Sequence, residues 1–485
     1  MADTWPPIPW LWAQYRENGA WYSGDPTRLS ADTRGFWKTA ECAKVHVPLA
    51  ADLASMAAGF LFCGSPTITH DNEETSKRAQ EIADRNALYS KLLQAVELQT
   101  ALGGVFLKWN WDTARAGYPL LRIVPADAGL PYYVNGLLDS VRFWAVVKTT
   151  ADGGTIWRLE ERYTSDGRIT SKLFEGSAND LGREHPLADL PETAGINPEA
   201  NSGTGMLLAT YVPARLPNRL KPYEPYGRSD YEGLHTLFSA LDEAYSSMLR
   251  DIRLGKTQII VPAEFLEKSV RDLMFATTTS DPNAIKWTYN KSDEAYVALN
   301  IDPENKSATI TTFQPSIRAE EHQKAIDDIV RRILTLAGYA PQSGGLDIEG
   351  RAESGTALNV RERRSMQTAE TKKTYWWHAL LDIVRAGLAL DKAVFTRELV
   401  LDGELTVEFA DNTQPDMQTL ADTLDKLERA GAVSTETKVR LLHPDWDDGQ
   451  VAEEIARIRE ERGLITEGEP DAVLGDMETD PPGGD

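Results

Sequence analysis

Apolar residues in the first hundred positions follow a helical rhythm. Residues 49–62 are densely apolar and stop at Gly64-Ser65-Pro66, which predicts a helix ended by turn residues. From Glu73 to Thr100 the apolar positions Ile82, Leu88, Leu92, Leu93 and Val96 recur among charges, predicting a second helix. After Gly103-Gly104 the pattern turns strand-like, in Val105–Trp109, Leu120–Val124, Val141–Lys148, Thr155–Tyr163 and Ile169–Phe174. Asp152-Gly153-Gly154 and Asp166-Gly167 have the composition of hairpin turns between them. Residues 176–205, rich in Gly, Asn, Pro and acids, predict a long exposed loop. Ahead of all this, Trp5, Trp10, Trp12, Trp21 and Trp37 predict an N-terminal arm whose indoles pack on the body or on a neighbouring subunit.

The second half carries longer helices. Ser229 and Glu232 have capping-box spacing, and Leu234, Leu237, Phe238, Leu241, Tyr245, Met248, Leu249 and Ile252 then recur at steps of three and four until Gly255. Such a helix is roughly 37 Å long. A β-rich stretch follows: Gln258–Val261, Ile285–Tyr289, Ala295–Leu299 and Ala308–Phe313. A second long helix runs from a cap at Ser316 to Gly338, with Ile326, Ile329, Val330, Ile333, Leu334 and Ala337 on one face. Two amphipathic helices thus flank a small β insertion. A Gly-rich loop, Tyr339 to Glu353, leads into a helical pattern over 354–390. Its first half is polar and locally basic (Arg361, Arg363, Arg364, Lys372, Lys373) and its second half apolar (Trp376, Trp377, Leu380, Leu381, Ile383, Val384). Glu398–Phe409 reads as strand. Asp416–Ala430, Thr435–Leu442 and Gln450–Arg462 read as short helices, and Leu464–Asp485, with seven acids and no base, as disordered.

Composition narrows the classes. The chain has 485 residues, long enough for two to four structural units, and 41% hydrophobic with 26% charged residues suits a folded soluble protein. A net charge of −23 opposes a surface that wraps nucleic acid, since that binding relies on Lys and Arg at phosphates. It leaves open a surface that DNA slides past. Cys42 and Cys63 are the only cysteines, too few for a disulfide framework or a Cys-built zinc site within one chain, and are expected as free thiols. The start Met-Ala-Asp-Thr-Trp-Pro-Pro lacks a basic segment followed by an apolar run, so no signal peptide is expected. Val45 to Cys63, interrupted by Pro48, Asp52 and Ser55, falls short of the ~20 apolar residues of a membrane span.

Reactive motifs are sparse. Gly255-Lys256-Thr257 has Arg250 where a phosphate loop needs its first glycine, and the helix precedes the triplet. Asp445, Asp447, Asp448 and Gly449 resemble the start of a calcium loop, but Ala456 stands where a Glu is needed, and a helix cap accounts for them better. The seven histidines show no H-x-x-x-H spacing, and no nucleophile elbow or dinucleotide fingerprint is present. No catalytic residue, cofactor or metal is therefore expected. Arg361–Arg364 stands out against the chain's charge, as a solvated helix face or as cations aimed at phosphates or an acidic neighbour.

The order of elements resembles the portal proteins of tailed bacteriophages, in particular the SPP1-like group. The likeness is carried by Val47-Pro48-Leu49-Ala50 through Phe60-Leu61-Phe62-Cys63-Gly64-Ser65-Pro66, and by Ala101-Leu102-Gly103-Gly104-Val105-Phe106-Leu107-Lys108-Trp109. It continues in Ser354-Gly355-Thr356-Ala357-Leu358, in Ala430-Gly431-Ala432-Val433-Ser434 to Pro444, and in Glu453-Glu454-Ile455-Ala456-Arg457-Ile458. The resemblance implies an α+β subunit of a ring, a dodecamer, at one capsid vertex. Its parts would be a wing over 1–228, stem helices at 229–254 and 316–338, a clip at 255–315 and a tunnel loop at 339–356. A long helix with wing strands at 357–412, a crown at 413–463 and the acidic tail 464–485 complete it. It implies passage of double-stranded DNA without sequence specificity in packaging and ejection, a place in the virion after assembly in the host cytoplasm, and no membrane. The implied partners are terminase, major capsid and scaffold proteins and a head-completion or adaptor protein. Residues expected at the DNA channel are Gln342, Ser343, Asp347, Glu349, Arg351, Arg361 and Arg364; those expected in stem assembly are Leu237, Leu241, Met248, Ile329 and Ile333. A metal-dependent nucleotide-processing hydrolase and a different head–tail adaptor are the alternatives.

Overall fold

The computed structural model describes residues 5–25, 45–151, 153–254, 258–262, 296–299, 311–313, 318–346, 355–410, 424–443, 446 and 448–461. Two compact units emerge: residues 1–350 with 360–412, and residues 351–359 with 413–485. Ile285–Tyr289, the cap at Ser316, Trp37, Cys42, Asp445, Asp447 and the acidic tail lie outside the described residues. No described helix is long and apolar enough to cross a membrane.

The first unit opens with α1 (Pro9–Ser23), with Pro at its first position and Gly24 in the left-handed conformation at its end. The expected aromatic arm is this helix. Trp5 and Trp12 each meet Trp144 edge-on, and the Arg158 guanidinium lies 4.5 Å from the Trp5 ring centre. Then come α2 (Leu49–Leu61), β1 (Thr67–His70), α3 (Glu73–Arg85) and α4 (Leu88–Leu102). The single helix expected over 73–100 is broken because Ala87 adopts φ +49°. The buried Asn86 holds the break: its amide donates to the Ile82 and Pro119 carbonyls, both at 2.9 Å, and its oxygen accepts from Leu121 N at 2.8 Å. Pro119 and Leu121 are some thirty residues away, beyond any local pattern.

Strands β2 (Gly104–Asn110), β3 (Leu120–Pro125) and β10 (Ala209–Pro213) form an antiparallel sheet with β2 in the middle. A six-stranded antiparallel sheet is built from β4 (Gly129–Val134), β5 (Leu137–Thr149), β6 (Ile156–Thr164), β7 (Arg168–Gly176), β8 (Arg183–His185) and β9 (Glu199–Asn201), with β8 and β9 both on β7. Residues 176–205 are thus not simply a loop; they return two short strands to the sheet and bury Leu181 and Leu190.

The two long helices are α5 (His235–Leu254) and α6 (Ala319–Ala337). Between them β11 (Gln258–Pro262), β12 (Tyr296–Leu299) and β13 (Thr311–Phe313) make a three-stranded sheet with β11 central, parallel to β12 and antiparallel to β13. The helix pair is antiparallel: at one end Asp251 of α5 meets Arg318 (3.0 Å) and His322 (2.8 Å). Helix α5 starts at His235, later than the capping box proposes. Ser229 does not cap it; its hydroxyl donates to the Thr100 and Ala101 carbonyls at 3.0 and 2.6 Å. Helix α7 (Gly355–Phe395) is 41 residues long, about 60 Å at 1.5 Å per residue. Beyond it only β14 (Leu405–Glu408) is strand within 398–409, and it pairs antiparallel with β1.

Two apolar cores result. One joins α3, α4, β2, β10 and the second half of α7 around Leu92, Val96, Phe106 and Trp376. The other joins α1 and α2 to the base of the α5–α6 pair through Leu53, Phe238, Leu241 and Ile333. The second unit contains α8 (Thr435–Leu442), capped by the Ser434 hydroxyl accepting from Thr437 N, and α9 (Asp448–Glu461), with Val439 and Val451 buried.

Candidate functional site

The α5–α6 pair leaves the body and returns to it at one carboxylate. Asp230, five residues before α5, is fully buried. Its Oδ2 accepts from Lys372 Nζ of α7 at 2.7 Å and from the Tyr339 hydroxyl, just past α6, at 3.0 Å. Its Oδ1 is paired with Arg215 Nε at 2.8 Å. Lys372 also donates to Thr100 Oγ1 of α4 at 3.0 Å, and the Arg215 guanidinium donates to the Ala337 carbonyl at the end of α6. One acid therefore ties the approach to α5, the exit of α6, the middle of α7 and the end of α4.

A second set of bonds fastens the segment after α6. Thr368 Oγ1 donates to the Gly338 carbonyl at 2.6 Å, Ala340 N donates to Ser365 Oγ at 2.8 Å, and the Ser343 and Ser365 hydroxyls share a bond at 2.9 Å. Gly338 is required twice over: its φ is +93°, and a Cβ there would stand 2.9 Å from Thr368 Oγ1. Residues 341–346 thus begin from a backbone fastened to α7.

Two cations against one carboxylate leave the joint positive. Burial pushes the Lys372 pKa down, opposed by Asp230. Burial first, and then the Asp230 charge, hold the Tyr339 phenol well above its ordinary pKa, so it stays a donor. Arg215 is the one member with a solvent-facing side (20% exposed).

The expected site residues separate into groups. Gln342 and Ser343 are half-buried in a short 3₁₀ turn, with Ser343 turned onto Ser365, while Arg364, next to Ser365, is exposed. Asp347, Glu349 and Arg351 lie outside the described residues, as does the side chain of Arg361. Leu241 and Ile333 are buried in the chain's own core, with Leu237, Met248 and Ile329 half-buried against it. Much of that stripe is therefore covered within one copy. Lys372, grouped by sequence with the surface cations, is buried. A signal was present: Lys372 falls in helical phase with Ser365, Ala369 and Trp376, all buried, and a lysine on a buried stripe calls for an acid. Asp230, Arg215 and Tyr339 carry no such mark. Among the described residues no group of three His, Cys, Asp or Glu side chains is placed to hold a metal ion.

The molecule is an α+β protein in which two long antiparallel helices are joined in sequence through a small three-stranded sheet. The profile of the family described as phage portal protein, SPP1 Gp6-like, matches residues 14–467, and the chain belongs to that family. It is a portal protein, a component of phage particles. Among solved structures, a chain of "Virion of native gene transfer agent (GTA) particle" is similar at 12% identity, over 90% of this chain and 94% of that one, with a TM-score of 0.43. No curated protein sequence matches the chain.

Proposed function

We propose that copies of this chain form a ring at one capsid vertex, through which double-stranded DNA passes in packaging and ejection, and on which terminase and head-completion proteins dock. In this reading α5 and α6 are the stem, β11–β13 belong to the clip, residues 339–356 hold the tunnel loop, and 413–463 form the crown. The observation that carries it is the match to the portal family over 14–467, joined to a helical arm rooted on the Asp230 joint. A structural role requires no reacting group. It requires that load on the loop and arm reach the body, and the Ser365, Thr368 and Lys372 bonds are the means.

The charge suits a conduit. Each copy brings −23, so a ring presents DNA with a field that disfavours tight adhesion and leaves the polyanion free to move. The exposed Arg363 and Arg364 on α7, beside the anchored loop, are the local exception and are assigned to phosphates or to acids of the next copy. Negative-stain electron microscopy of the purified chain, with end-on views classified by symmetry, tests the reading. Rings with a hole wide enough for duplex DNA are expected; a chain that stays monomeric at every concentration, alone and with capsid and scaffold protein, refutes it.

A further inference from the structure

Between β10 and α5 the chain carries a cationic island. Residues 215–228 hold Arg215, Arg219, Lys221 and Arg228 against the single acid Glu224, in a protein whose net charge is −23. The loop's backbone is pinned from within. Asn218, fully buried, donates to the Gly227 carbonyl at 3.3 Å and accepts from Leu220 N at 3.1 Å. Arg228 N bonds the Arg215 carbonyl at 2.9 Å, and Gly227 N bonds the Tyr211 hydroxyl at 3.0 Å. What this ordered frame holds outward is apolar: Tyr223 is fully exposed, Leu220 is 62% exposed, and Leu216 is exposed beside them. Of the cations, Arg228 is engaged by Glu232 at 3.1 Å, Arg219 only loosely by the same acid at 3.7 Å, and Lys221 by no acid among the described residues.

We propose that this loop is a contact between copies of the chain, seating Leu220 and Tyr223 on an acidic face of the next copy with Arg219 and Lys221 at the rim. The proposal rests on the ring reading above and adds where the copies meet. Tyr and Arg on a pre-ordered backbone are the residues that carry interface energy, because little conformational freedom is left to lose on docking. The occupant follows from charge: a partner has to supply acids, and a second copy at −23 does. Charge also fixes the geometry. The loop cannot face its own counterpart, since that sets Arg219 and Lys221 against the same cations. Seated on a different face, the loop makes a heterologous contact, and such contacts repeat head to tail and close into a ring where the rotation allows. Exposed Leu220 and Tyr223 favour a protein face over phosphates, which offer a leucine nothing.

The test uses the full chain and two variants, Leu220→Ser with Tyr223→Ser, and Arg219→Glu with Lys221→Glu. None of these side chains belongs to the Asp230 joint, so circular dichroism and melting should match the wild type. Mass photometry across a concentration series should show that either variant needs at least ~10-fold more protein to reach the wild-type assembled fraction. The deficit of the charge variant should shrink between 0.1 and 0.5 M NaCl as repulsion is screened. If both variants assemble like the wild type, the loop assignment falls while the ring reading stands. If the wild type never assembles, both fall. Normal assembly with lost affinity for a 30-base-pair duplex would reassign the loop to nucleic acid and overturn the proposal.

Discussion

Replacing Asp230 by Asn keeps the shape of the joint and removes its only negative charge. Lys372, 2% exposed, and Arg215 then share a buried site with no counter-ion, while Tyr339 keeps an oxygen to donate to. Removing one partner of a buried pair costs about 3–5 kcal/mol, chiefly through the stranded charge. The lower end applies, because Arg215 is one-fifth exposed and Lys372 can release its proton. About 3 kcal/mol is a shift of roughly two orders of magnitude in the folding equilibrium. Urea denaturation followed by circular dichroism should read it as a lowered midpoint, and hydrogen exchange over 338–345 should quicken first. The pH response carries a sign. Burial holds the Lys372 pKa below its ordinary value, so the unfolded chain binds more protons there, and stability rises with pH as that window is crossed. Losing Asp230 lowers the folded pKa further and extends the window toward neutrality. The deficit of Asp230→Asn should therefore narrow between pH 7 and pH 9. A variant within about 0.5 kcal/mol of the wild type at pH 7, the size of an ordinary surface substitution, would refute the idea that this carboxylate holds the elements together.

Ser365→Ala removes the acceptor of Ala340 N and the partner of Ser343, and should cost about 1–2 kcal/mol and speed exchange of the Ala340 amide without altering helical content. Gly338→Ala meets both a left-handed backbone and Thr368, and should cost about 1–3 kcal/mol by the same denaturation assay. Leu241→Asp places a charge in the chain's own core and should give a misfolded or aggregated chain by circular dichroism and gel filtration. Ile252→Asp, at an exposed position on the same helix, should leave the fold intact.

The α5 and α6 stripes were legible because their apolar steps of three and four are the burial pattern itself, and Gly338 stops α6 as its left-handed φ demands. The central strands of the large sheet were legible for the same reason. The failures share a cause in distant partners. Asn86 breaks a helical pattern through Pro119 and Leu121, and Ser229 abandons a cap for the carbonyls of Thr100 and Ala101. Strands β8 and β9, three residues each, are too short for a period to register. Of the joint, only Lys372 left a trace, as a polar residue in apolar phase.

Because the side chains of Asp230 and Tyr339 touch, everything between residues 231 and 338 is, for the body, a loop whose ends are already closed. The shared core reaches along that excursion to Met248 on one helix and Ile326 on the other. Beyond it, inserting or removing chain alters closure entropy by about 0.6 kcal/mol per doubling of length. Length variation is therefore tolerated at the far end of the arm and penalised at its root. The portion distal to Met248 and Ile326 is the part that can be exchanged for another of different reach while the body and the Asp230 joint stay as they are.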